Sequence, residues 1–77
     1  MAMVIARHLD LTGLTRPLPV ARIVDALDRL RPGDLLEVVA TDQSAVPDFC
    51  AWAEATGQDL IETSQLGRVF RFVIRKH

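Results

Sequence analysis

The sequence predicts an α+β protein: a two-layer α/β sandwich of order β-α-β-α-β-β, with a four-stranded mixed sheet and two helices on one face. Three observations carry this. The hydrophobic period alternates between two and about 3.6 along the chain. Gly- and Pro-bearing turns separate the periodic stretches. Each helical stretch has one apolar stripe and each strand one clearly apolar face, and two layers bury these together most economically. The 77 residues fit one domain spanning 1–77. With 49% hydrophobic and 25% charged residues, the chain has enough apolar surface to fold rather than remain disordered.

The first strand is "MVIARHLDL". Ile5, Leu9 and Leu11 share one alternating register, with Arg7 as the exception, and Gly13 marks a turn after it. From Val20 the period changes. Val20, Ile23, Val24, Leu27 and Leu30 form one helical stripe, and Asp25 and Arg29 stand four apart on the polar side. "RPGD" stops this helix. Pro32 disfavours a helical Arg31, and Pro-Gly suits a type II turn.

"LLEVVAT" is short and branched, as a buried strand requires. A second helix opens within "DQSAVPDF", with Ser44 as N-cap and Pro47 at the third helical position, where no amide donor is needed. Val46, Phe49, Cys50 and Ala53 follow helical spacing, and Gly57 ends the helix. "DLIETS" and "RVFRFVIRK" flank "QLG", a hairpin turn. In the last strand Phe70, Phe72 and Ile74 share the core face. Val69, Arg71, Val73 and Arg75 share the other, which meets water.

Charge and cysteine usage narrow the function. A net charge of −1 provides no global field for nucleic acid or an anionic membrane. No apolar run approaches the roughly 20 residues that span a bilayer. One cysteine excludes an intramolecular disulfide and, with no signal-peptide pattern, fits a reducing cytoplasm. His8, His77 and Cys50 show no metal-ligand spacing, and no phosphate loop or nucleophile elbow is present, so neither metal nor cofactor is expected. His8 shares a strand face with Asp10, with which it either pairs or simply meets solvent. Asp42 suits an Asx turn better than a binding loop. Trp52 lies just off the second stripe, at the core edge or in a partner contact. Arg71 and Arg75, with Arg68 and Lys76, form a modest cationic patch. A solvated face is its first reading and partner docking its second. The interleaved Phe70 and Phe72 point inward, which argues against RNA stacking.

The segment "GLTRPLPVARIVDALDRL" carries the most specific signal. With Arg16 as N-cap, Pro17 is the first helical residue and Pro19 the third, both where a missing donor costs nothing. Pro19 in turn disfavours a helical Leu18, so the first turn is expected to be irregular. Residue 16 would then stand at the positive end of the helix. A thiol placed there is activated. An arginine is a poor cap, and its use would be to help hold an anion or an acidic partner.

Gly13, Leu14, Pro17, Leu18 and Pro19, followed by "RPGD", "TDQSAVPDFCAW", "TGQDLIE" and "FRFVIRK", resemble the TusA-like (SirA-like) sulfur-carrier family over nearly the whole chain. The resemblance implies a two-layer β-α-β-α-β-β fold and a Cys-Pro-x-Pro motif whose cysteine carries sulfur as a persulfide from a donor protein to an acceptor. Arg16 occupies the place of that cysteine, and a guanidinium cannot form a persulfide. The site implied is therefore Gly13, Leu14, Arg16, Pro17 and Pro19 at the helix start, without a catalytic residue. Arg16, Arg71 and Arg75 are the candidate contacts for a partner or anion. Cys50, on the apolar stripe of the second helix, is expected to be a core residue rather than a substitute nucleophile. The function expected is membership of a sulfur relay without the carrying thiol, with a sulfur donor or acceptor protein as partner. The alternative is a non-catalytic interaction or regulatory module that uses Arg16 to grip an acidic partner or anion.

Overall fold

The computed structural model describes residues 4–15 and 17–77. Its elements are β1 (Arg7–Leu11), α1 (Val20–Asp28), β2 (Leu35–Ala40), α2 (Ala45–Thr56), β3 (Asp59–Leu66) and β4 (Val69–Arg75). The strands form one sheet of order β1-β2-β4-β3. β1 runs parallel to β2, while β4 is antiparallel to both β2 and β3. Both helices contribute to a single core on one face of the sheet: Ile23, Ala26 and Leu27 from α1, and Ala45 and Phe49 from α2. They meet Leu11, Leu36, Val38, Ala40, Phe72 and Ile74 of the strands, so the expected two-layer mixed sheet is the one observed. Phe49 stacks on Phe72 with ring centroids 4.2 Å apart, and Trp52 meets Phe49 edge-on at 5.5 Å. Trp52 thus closes the core edge, and each aromatic pair contributes about 1 kcal/mol beyond area burial.

The two helices follow the pattern of their sequences with local shifts. On α1 the buried residues are Ile23, Ala26 and Leu27, with Leu30 packed beside them, whereas Val24 is 40% exposed. The nine-residue helix turns its stripe toward the small Ala26, which lets the backbone approach the sheet. On α2 the buried residues Ala45, Phe49 and Ala53 are four apart, which leaves Cys50 half-buried rather than in the core. Pro47 is the third residue of α2 and Gly57 follows its last, as expected.

Turn chemistry fixes the connections. Asp34 N–H donates to the Arg31 carbonyl at 3.0 Å, and Gly33 has φ +90°, as a type II turn demands. Gly33 and Lys76 N–H groups bond across to the Lys76 and Asp34 carbonyls at 2.8 Å, which pins this turn to the end of β4. The β3–β4 turn is Gly67–Arg68 rather than Gln65–Leu66–Gly67, and β3 runs on to Leu66. Gly67 has φ +60° while Arg68 does not enter the positive region, the pattern of a two-residue type II′ hairpin. At the sheet's other edge, Arg7 lies in register with Leu9 and Leu11 on the helix side, half-buried.

Candidate functional site

The start of α1 differs from the sequence expectation. The first helical residue is Val20 and the N-cap is Pro19, not Arg16, so Pro17 and Pro19 precede the helix. Pro19 has φ −77° and ψ 70°, and Val20 N–H donates to the Leu18 carbonyl at 2.8 Å. This is an inverse γ-turn centred on Pro19. Its cause is the steric rule noted above: proline pushes its predecessor out of the helical region, and Leu18 obeys it. The Pro19 carbonyl then accepts from Arg22 N–H at 3.0 Å and begins the helical ladder. Arg16 lies outside the described residues.

The parallel strands β1 and β2 end side by side, Leu11 opposite Ala40, and each feeds the loop that opens a helix. A pocket lies between these loops. Leu11, Leu18, Ala40 and Ala45 form its apolar part, and Asp42 and Asp48 add carboxylates. Thr15 and Leu14 also line it, which brings the chain just before position 16 to this place. Its volume is about 20 Å³, room for about one water. Gly13 N–H donates to Thr41 Oγ1 at 2.8 Å and ties the two loops together. Asp42 makes the expected Asx turn: its Oδ1 accepts from Ser44 N–H at 3.0 Å, and its carbonyl accepts from Ala45 N–H at 2.9 Å. Ser44 is the N-cap of α2 by position, but its side chain makes no capping hydrogen bond.

A second hollow, of about 330 Å³, opens on the other side of the β2–α2 loop. Thr41 and Gln43 of that loop line it together with Gln65, Gly67, Arg68 and Phe70 of the β3–β4 hairpin. Sequence reading singled out neither Gln43, Gln65 nor Asp48. The signals available were the Gly67–Arg68 turn and the alternation of residues 41–44 between two sides of one loop.

Arg71 and Arg75 stand on the open face of the sheet, as expected, but both are held by carboxylates. Arg71 Nε reaches Glu37 Oε2 at 2.5 Å and its Nη1 reaches Glu62 Oε1 at 3.0 Å. Arg75 Nη2 meets Asp59 Oδ2 at 2.5 Å. His8 pairs not with Asp10 but with Glu37, its register partner on β2, at 2.7 Å. Asp10 instead accepts from the hydroxyl and amide of Thr12, at 2.6 and 2.9 Å. Those two bonds, the hydroxyl's first, lower the Asp10 pKa from 3.8. Hydrogen bonds from Arg71 and then His8 lower that of Glu37 from 4.5, and the Glu37 hydrogen bond raises that of Arg71. Glu37 and Glu62 flank Val73 on the neighbouring strands, and the Arg71 bridge between them closes over it. Val73 is accordingly 0% exposed on the face that carries no helix.

Comparison with known proteins narrows the class. The family profile described as "Sulfurtransferase TusA" matches residues 7–76, and the chain belongs to that family. It is 41% identical over 70 residues to a sulfur carrier protein TusA of Allochromatium vinosum, covering 91% of this chain and 92% of that one. It is also 41% identical to a putative sulfur carrier protein of Bacillus subtilis, over 88% of this chain and 91% of the other. A SirA-like protein of Desulfitobacterium hafniense shares the fold, with a TM-score of 0.73 at 24% identity, covering 90% of this chain and 95% of that one. Among the described residues, no helix is long and apolar enough to cross a membrane.

Proposed function

We propose that this protein serves in a cytoplasmic sulfur relay by docking with sulfur-handling proteins, without carrying a persulfide itself. The chain's single thiol supports the reading. Cys50 lies half-buried on α2 and lines neither hollow at the loop end, while Arg16 takes the place that the family's motif gives to cysteine. A persulfide transfer needs an accessible thiolate to attack the outer sulfur of the donor's persulfide, leaving the donor as a thiol. No group at the Arg16-Pro-x-Pro motif supplies that nucleophile. The reading in which Arg16 holds a free anion rests on the sequence alone, whereas a protein partner follows from membership of the sulfur-carrier family.

The test is intact mass after incubation with a cysteine desulfurase and cysteine. The expected result is no gain. A gain of one sulfur atom, mapped to Cys50, would overturn the reading.

A further inference from the structure

Resting on that docking role, we infer that the docking surface extends from the pocket between the loops that open α1 and α2 across to the β3–β4 hairpin tip. There Leu66 and Arg68 receive a partner protein that presents a carboxylate beside an apolar patch. Leu66 is 86% exposed, and its cross-strand partner Val69 is 37% exposed on the same open side. Removing a leucine and a valine from water at one point suits a partner contact. Arg68, in the turn that joins Leu66 to Val69, lines the hollow with Gln43, Gln65 and Phe70, which lie on the other face of the hairpin. Among the described residues that hollow has no carboxylate in its wall, in contrast to the pocket on the other side of the same loop.

Charge singles out the occupant. On the open face each of the two β4 arginines already has a carboxylate within ion-pair distance. Arg68 has none among the described residues, and the Gln43 amide lines the same hollow, while that of Gln65 donates to the Gly67 carbonyl at 2.9 Å and holds the turn. A guanidinium with free donors beside aromatic and aliphatic surface matches the composition of binding hot spots. The β2–α2 loop makes the two halves one surface: Asp42 and Ser44 line the first pocket, Thr41 and Gln43 the second. Partner recognition thus uses a region that a substitution at position 16 leaves intact.

The experiment titrates a cysteine desulfurase from the same cell against wild type, Arg68→Glu, Leu66→Ala and Arg31→Glu. Arg31 sits in the turn at the opposite end of β2 and controls for charge. Arg68→Glu is expected to weaken binding at least tenfold, mainly through slower association, and to flatten its salt dependence. Leu66→Ala is expected to weaken it about threefold to tenfold, and Arg31→Glu to leave it unchanged. Circular dichroism checks that each variant is folded. Wild-type affinity in both tip variants would overturn the inference and leave the docking role standing. Absence of any complex with wild type would overturn both.

Discussion

The open face of the sheet and its loop end both carry arginines, and the sheet uses them differently. On the open face, His8, Glu37, Arg71 and Glu62 contribute one polar or charged group from each strand in turn, and the row closes over a buried valine. Those charges face one another and do the work of a missing second helical layer. At the loop end, Arg68 faces solvent beside an exposed leucine, and nothing in the described chain neutralises it. The same residue type is structural where carboxylates lie across the strand and available for recognition where a tight turn carries it beyond them.

That contrast predicts that face substitutions change stability and tip substitutions change binding. The largest effect belongs to the covered face. Phe49→Ala removes the ring stacked between Phe72 and Trp52 and should cost about 3–5 kcal/mol. A domain this small has little margin above that, so near-ultraviolet circular dichroism should show loss of the fixed Trp52 environment. A cooperative melt close to wild type would show that the core is not centred there.

Next comes Glu37→Gln. It removes the carboxylate that Arg71 and His8 share and should destabilise by about 1–2 kcal/mol in urea unfolding. Its pH dependence has a definite sign. The folded pKa of Glu37 lies below its ordinary 4.5, so its contribution is full above that value and is lost as pH falls through the lower folded pKa. Wild type should therefore lose stability on acidification below about pH 4.5, and the variant should lose less over the same window. Equal slopes would remove Glu37 from the account. Arg75→Ala breaks a more exposed pair and should cost under about 1 kcal/mol, a difference that 1 M salt erases. Arg68→Glu should change stability by less than about 0.5 kcal/mol while changing affinity most.

Much of the fold was legible because the period of the apolar residues is clean. Ile23 and Leu27, Leu36 and Val38, and Phe72 and Ile74 declare their faces without tertiary information. The Pro32–Gly33 turn was equally readable, since few conformations suit that pair. The errors fell where two local rules compete. Pro17 and Pro19 are good helix starters one at a time, but Pro19 cannot let Leu18 be helical, and a γ-turn wins. Cys50 lies one residue from Phe49, and which neighbour enters the core depends on the helix's rotation against the sheet, which the stripe alone does not fix. The site was less legible than the fold. Arg71 and Arg75 were readable as open-face cations, but their pairing with Glu37, Glu62 and Asp59 depends on strand order β2-β4-β3. Leu66 and Arg68 gained meaning only once the hairpin tip lay beside the β2–α2 loop.

Separating docking from sulfur transfer in one experiment tests the central claim most directly: wild type and Arg16→Cys are each mixed with a cysteine desulfurase and cysteine, and both affinity and intact mass are read. The account predicts affinities within about threefold of each other, with a gain of one sulfur atom only in the cysteine variant. A sulfur gain on wild type, or a complex formed by the variant alone, would contradict it.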